Sequence, residues 1–482
     1  MLKPFADAHS IYNVIEPALR APSVYNTQPW SFRIVADDRI ELRANVGGDD
    51  DSSQGRWDLL LHSPAPGPWP REYAISCGAA LMNLRLAFRV LGHDPVITPL
   101  PDPAKDPGLL ASVEIVVGRT NKPTSLEQEL YDAIWQRHTD RWPFSDTPVR
   151  PGILVEMERA AAREHGWLRV LHGPFARRWL KVAAQADAAI AAARVGTARD
   201  GAGRDGAGRD SRHPAATDGY GRAGITFVAG DEAVGADAIN YHALLSQFRD
   251  ELAHRTDDSD SGSGVPRAAF GPRPAKPKPP VRDFTLGGCE PAGTGQDGTE
   301  HFERHPQLMV LFTNRDEPAD WLRAGQALQR ALLTATSLGV STSFLTQPLE
   351  LADLAFRDDP RQGRMRRPPG LTGHSGLTVH RHVDASQRNS SSHVDRRGYA
   401  RRHLLGATPW LEVPQMVIRV GYPKNQPSKD VRTPRRVPDV TDARSGPPVR
   451  AAWPAGGSWP AGGSWPPGGS WPPGGSLPPG GS

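Results

Sequence analysis

Apolar and polar residues alternate along SFRIVADDRIELRAN, residues 31–45, and the alternation breaks only at Asp37-Asp38. Period-two patterning around a short polar turn predicts a β-hairpin. In AALMNLRLAFRVLG, residues 79–92, the positions Ala80, Leu81, Leu84, Ala87, Phe88 and Leu91 share one helical face, and Gly92 supplies a C-terminal stop. ASVEIVVG (111–118) and QMVIRVG (415–421) read as strands with β-branched cores, and PFARRWLKVAAQADAAIAAAR (174–194) reads as a further helix. Helix and strand signals alternate along these stretches.

Two of these patterns match each other. GAALMNLRLAFRVLG (78–92) lies over GQALQRALLTATSLG (325–339) with the flanking glycines, an Ala-Leu pair and two further leucines in register. Each is followed by a short apolar run ending in Pro-Leu, at Pro99-Leu100 and Pro348-Leu349, and later by a strand closed by Gly118 or Gly421. Agreement of element order favours an internal duplication, two like halves fused in one chain. The plainer alternative is that amphipathic helices with terminal glycines resemble one another. The division expected is 1–122 for the first half and 123–436 for the second.

Three stretches carry no such patterning. From Trp453 the tail repeats W-P-(A/P)-G-G-S, and a five-residue repeat, RDGAGRDGAGRD, sits within 198–222. Residues 362–408 cluster Arg, Ser and His without apolar periodicity. Gly and Pro deny these segments regular hydrogen-bonded structure, so 198–222 and 362–408 are expected to be insertions and 437–482 a disordered tail. His374, His380, His382, His393 and His403 lack metal-ligand spacing and carboxylate or cysteine support, so no metal site is expected.

Composition narrows the function classes. The chain has 482 residues, enough for two or three domains, with 49 Gly and 48 Pro. Lys and Arg number 57 against 53 Asp and Glu, a net charge of +4, which argues against a nucleic-acid partner. The only cysteines, Cys77 and Cys289, cannot build a disulfide framework or a thiolate metal site. With no apolar signal core at the N-terminus and no run of membrane-spanning length, a soluble cytoplasmic protein is expected.

Candidate chemistry concentrates in two places. AIWQRHTDRWPF, residues 133–144, brings Arg137, Thr139 and Arg141 together at an expected helix end. Two planar, permanently charged guanidinium forks and a hydroxyl suit a phosphate, although Asp140 could instead neutralise an arginine on a solvated helix end. His138 reads as a packing or hydrogen-bonding histidine. RAPSVYNTQPW, residues 20–30, is too short for a helix and too proline-broken for a strand. Pro22 and Pro29 restrict its backbone, so Ser23, Asn26 and Gln28 could read the polar edge of a flat heterocycle, with Tyr25 and Trp30 as walls. A turn whose Ser and Asn satisfy its own backbone would look the same.

Together, P-S-x-x-N-x-Q-P-W after a first helix and R-x-(S/T)-x-R-x-x-F resemble the nitroreductase family of FMN flavoproteins, in its Acg-like branch. WLRAGQALQRALLTATSLG, QPLE and PQMVIRVGYP are similar to that branch too. The resemblance covers about residues 10–197 and 224–436, apart from the insertion at 362–408. It implies a nitroreductase-like α+β fold and, because family members are homodimers holding FMN at the subunit interface, a monomer whose two halves imitate that dimer around one FMN site. Arg137, Thr139 and Arg141 would grip the phosphate, joined by Arg435 with Arg436 beside it. Pro22, Ser23, Asn26 and Gln28 would contact the isoalloxazine or ribityl, and Pro348 and Glu350 fall in the segment facing flavin N5. Chemistry would belong to the flavin, with no catalytic side chain, carrying reducing equivalents from NAD(P)H to a nitro or quinone-type small-molecule acceptor. The rival reading is a protein that sequesters or stores flavin with little turnover.

Overall fold

A computed structural model describes residues 8–44, 71–173, 305–346, 412–424 and 439–444, with shorter pieces and single residues beside them. The expected insertions at 198–222 and 362–408, the repeats from Trp453, the five clustered histidines, Cys289, Pro348, Glu350 and Arg436 lie outside the described residues.

The chain opens with α1 (Ala8–Leu19), where Ile11, Val14, Ile15, Ala18 and Leu19 form one buried stripe. A 3₁₀ turn (Val24–Asn26) leads to β1 (Trp30–Ala36) and β2 (Arg39–Ala44), the predicted hairpin, antiparallel around Asp37-Asp38. Helix α2 (Arg71–Val90) starts before the patterned stretch and stops ahead of Gly92, whose φ of +84° is open to glycine without strain. Strands β3 (His93–Pro99) and β4 (Leu109–Thr120) follow, then α3 (Ser125–Gln136). A capping box starts α3: Thr124 Oγ1 accepts from Glu127 N, and the Glu127 carboxylate accepts from Thr124 N.

Helix α4 (Pro151–Ala162) and β5 (Trp167–Leu171) come next. Short strands β6 (Gly271–Pro272), β7 (Val281–Asp283) and β8 (Asp297–His301) form a small antiparallel sheet of their own. Then follow β9 (Gln307–Thr313), α5 (Pro318–Ser337), β10 (Ser341–Phe344) and β11 (Val413–Gly421), ending in β12 (Val440–Asp442) and β13 (Val449–Arg450).

The two main sheets have orders β13-β12-β1-β2-β4-β3 and β10-β11-β9-β5. Leaving aside β6–β8, the sequence helix, two strands, helix, two strands therefore occurs twice, and β1-β2-β4-β3 has the same neighbours as β5-β9-β11-β10. The two long central helices, α2 and α5, are each 20 residues long and pack against each other. Their contact is reciprocal. A Cβ on Gly78 would lie 2.1 Å from the Leu322 carbonyl oxygen, and one on Gly325 would lie 2.0 Å from the Ile75 carbonyl oxygen. Each of those carbonyls lies one helical turn before the facing glycine, the pattern of a self-complementary two-fold contact.

One core lies between α1, α2 and the first sheet, and another between α4, α5 and the second. Trp179, Leu180, Leu345 and Leu349 cover the remaining face of the second sheet, over Leu308, Val310, Phe312 and Val417. Helix α3 packs its Leu130, Ala133 and Ile134 on Met82 and Leu86 of α2 and Leu333 of α5, so its C-terminus is delivered to the junction of the two sheets' helices.

One sequence expectation needs correction. The tail does not lose regular structure at residue 437: β12 pairs in parallel with β1, Phe32 opposite Val440, and Val440 is buried in the first core. Arg444 fastens this strand, donating to the Phe5 carbonyl at 2.7 Å and to the carboxylates of Asp442 and Asp37. Pairing with an existing sheet edge supplies the order that local composition lacks.

Candidate functional site

The polar loop after α1 is held in an unusual backbone shape. Asn26 and Gln28 have φ of 57° and 50°, left-handed values that side chains other than glycine adopt at a cost. Several bonds hold the loop there. Ser23 Oγ accepts from Gln28 N at 3.0 Å, Gln28 Nε2 donates to the Asn26 carbonyl at 3.2 Å, and Val24 N donates to Ser76 Oγ on α2 at 3.2 Å. At the far end, the buried Cys77 thiol donates to the Pro29 carbonyl at 3.3 Å. Burial raises the Cys77 thiol well above its ordinary range, so it acts as a structural group rather than a nucleophile.

Opposite this loop, α3 ends at Arg137, a C-cap with φ −61° and ψ 127°. The chain leaves the helix extended and runs beside β10: Thr139 bridges Thr342 in parallel, and Asp140 N donates to the Thr342 carbonyl at 2.9 Å. Within this segment Asp140 Oδ1 accepts from Trp142 N at 3.0 Å, an Asx-type turn with Arg141 at its apex. Burial raises the Asp140 carboxyl, against the opposing pull of the Trp142 N–H and of the nearby positive charges of His138 and Arg419.

Loop and clamp meet in one cleft. Its described lining includes Pro22, Ser23 and Asn26 from the loop, Arg137, His138, Thr139 and Arg141 from the segment after α3, Phe344 from β10, and Thr433 and Arg435 from the C-terminal part. Arg137 donates to the Arg20 carbonyl at 2.9 Å, and Arg435 donates to the same oxygen at 3.4 Å and to Asn26 Oδ1 at 3.0 Å. Thr433 steadies Arg435 through its hydroxyl at 2.8 Å. Three separated stretches of sequence are thereby tied to a single point on the rim.

Seven of the ten residues singled out from sequence, Pro22, Ser23, Asn26, Arg137, Thr139, Arg141 and Arg435, line this cleft. Gln28 lies behind it, buried, and Pro348 and Glu350 lie outside the described residues. Trp30 does not provide an open wall: it is 4% exposed and packed in the first core, because as the first residue of β1 it points to the buried face. Nothing is described of the Tyr25 side chain. One lining residue, Arg20, carries a role that sequence did not suggest, and His138 is a hydrogen-bonding histidine as its sequence context implies. Arg20 is paired with Glu16 at 2.9 Å and lies 5.3 Å over the ring of Trp135, which also lines the cleft. His138 lines the cleft with Nδ1 3.2 Å from the Gln136 carbonyl.

Arg20, Arg137, Arg141 and Arg435 give the cleft four guanidinium groups, and none of its described lining residues is a carboxylate. Permanently charged planar donors joined by the Ser23 and Thr139 hydroxyls and the Asn26 amide match the demands of a phosphate carrying a polar, hydroxylated stem. Among the described residues no group of three or more His, Cys, Asp or Glu side chains could hold a metal ion.

Comparison with known proteins fits this arrangement. The chain is 27% identical over 348 residues to a Mycobacterium tuberculosis protein named "Putative NAD(P)H nitroreductase Rv3131", an alignment covering 72% of this chain and 79% of the relative. It is 26% identical over 347 residues to "Putative NAD(P)H nitroreductase acg" of the same organism, covering 71% and 81%. The chain is a homologue of proteins named putative NAD(P)H nitroreductases, Acg among them. A further M. tuberculosis relative, "Uncharacterized protein Rv3127", is 27% identical over 344 residues, covering 71% of this chain and 79% of its own. No protein-family model matches the chain.

Proposed function

We propose that the chain binds FMN in the arginine-lined cleft and works as an NAD(P)H-dependent oxidoreductase of nitroreductase type, with a nitro or quinone-type small molecule as acceptor. The observation that carries this reading is the convergence of the loop at 20–28, the segment at 137–141 and Arg435 on one cleft with four guanidinium groups. Arg137, Arg141 and Arg435 are the charged donors to the phosphate, with Thr139 as a neutral one. Ser23, Asn26 and Pro22 hold the ribityl and ring edge, and Gln28 supports the loop from behind. Pro348 and Glu350 are the proposed residues of the segment facing the ring, and Leu349 between them is buried in the core, its N–H donating to the Thr346 carbonyl at 2.8 Å. When bound, the flavin supplies the hydride and electron transfer, and the side chains bind, orient and limit access.

The reading includes a pseudo-dimer of two halves, about 1–122 and 123–436, with one site per chain. The repeated element order and the reciprocal Gly78–Gly325 contact support it. So does the inequality of the loops. Ten residues separate α1 from β1, 20–29, whereas α4 and β5 are joined by 163–166 alone, too short to repeat the polar loop. The protein is then a monomer. Among the described residues no helix is long and apolar enough to cross a membrane.

The test is a visible spectrum of the purified full chain, followed by anaerobic NADPH and NADH. A flavin band that either nucleotide bleaches at a catalytic rate supports the reductase. A band bleached only by dithionite points to flavin sequestration, and a protein that stays colourless with added FMN overturns the cofactor assignment.

A further inference from the structure

The clamp segment has a support that neither motif includes. Arg419, on β11, is fully buried, with a side-chain exposure of 0%. Its Nη1 donates to Glu303 at 2.6 Å, and the Glu303 side chain is 3% exposed. Its Nη2 donates to the Trp142 carbonyl at 3.0 Å and reaches the Asp140 carbonyl at 3.5 Å. Those two carbonyls flank Arg141. The Arg419 guanidinium also lies 4.1 Å over the ring of Phe144. The Glu303 oxygen that pairs with Arg419 accepts in addition from Phe144 N at 3.1 Å. Phe144 in turn fills the space over Gly421, where a Cβ would come within 2.4 Å of its ring.

A buried charge pair of this kind contributes little net stability, because desolvation offsets much of its attraction. Here Nη2 of the arginine is spent on main-chain carbonyls of a segment that otherwise has few regular partners. The outer side of that segment is held by the Asp140 N–H on Thr342 and by Ser145 N on the Tyr422 carbonyl at 2.9 Å. Arg419 completes the frame from below, so the backbone on both sides of Arg141 is fixed while its side chain stays at the cleft.

We propose that Arg419, neutralised by Glu303, is a positioning residue for the anion clamp: it sets the main chain around Arg141 and so the direction from which that guanidinium meets a phosphate. The inference rests on the cleft's reading as an FMN site. A fork donating to one carboxylate and two carbonyls is a task for arginine, and lysine, a point charge, keeps the charge without the geometry.

The test compares affinities of the full chain for FMN and for riboflavin, which lacks the phosphate, by quenching of flavin fluorescence. Arg419→Lys is expected to weaken FMN binding about tenfold, the scale of one charge-assisted contact, with little change for riboflavin. Arg419→Met/Glu303→Gln removes both buried charges together, leaving none uncompensated, and is expected to narrow the preference for FMN in the same way. A variant that keeps the wild-type ratio of the two affinities, or loses both in equal proportion, overturns the positioning role. A wild-type chain that binds both flavins equally overturns instead the phosphate clamp on which the inference stands.

Discussion

Arg137 and Arg141 reach the same cleft from opposite ends of a short extended segment, and the rigidity of that segment makes their charges useful. Replacing both by Ala is expected to lower FMN affinity by roughly 10²–10⁴-fold, since each charge-assisted contact contributes about 1.5–3 kcal/mol. Isothermal titration of the double variant checks this, and full retention of affinity would remove the clamp. The two stretches that line the cleft are legible in sequence because proline-bounded polar residues and closely spaced arginines are local signals. Arg20 was not, because a charge four residues from Glu16 reads as an ordinary helix-surface pair. Arg419 and Glu303 lie 116 positions apart, so no spacing could announce their contact. Trp30 was misread as a wall because the sequence shows its ring but not which face of β1 it occupies.

The α2–α5 crossing is the element on which both sheets depend. Gly78→Ala or Gly325→Ala must push the helices apart, since the added carbon would sit against a main-chain carbonyl that cannot swing aside. Each is expected to destabilise the fold by about 1–3 kcal/mol or more, read as a fall in thermal midpoint, and the pair should be non-additive because both changes relieve or worsen one contact. Gly152→Ala in the first turn of α4, with nothing within 4 Å of the new carbon, is the control and should be neutral or slightly stabilising.

The β2–β4 junction gives a pH test. Asp106 accepts two hydrogen bonds from Arg43, at 2.7 and 2.9 Å, and Arg43 holds its carboxyl below the ordinary 3.8. A carboxyl depressed in the folded state contributes stability above the unfolded value and loses it as pH falls through the folded one. Asp106→Asn should therefore cost about 1 kcal/mol or less near neutrality, as befits a half-exposed pair, and the gap from wild type should close in acid. Urea unfolding at pH 7 and pH 3 measures both ends. A gap that stays constant would mean that the pair does not hold this edge.

At the scale of the whole molecule, the two-fold likeness of α2 and α5 was already present in the sequence as flanking glycines in register, because a close helix crossing constrains residue size at fixed positions. The strand β12 was not, since Val440, Thr441 and Asp442 are too few to pattern and become a strand only by lying against β1. The two runs of like element order differ in loop length: ten residues, 20–29, lie between α1 and β1, four, 163–166, between α4 and β5, and the arginine-bearing segment follows α3. The arginine-lined cleft is the proposed site, and the most direct test is titration of the full chain with FMN, followed by flavin fluorescence. Saturation at one FMN per chain, with riboflavin bound far more weakly, is the predicted result. No binding, two equivalents per chain, or equal affinity for FMN and riboflavin would contradict it.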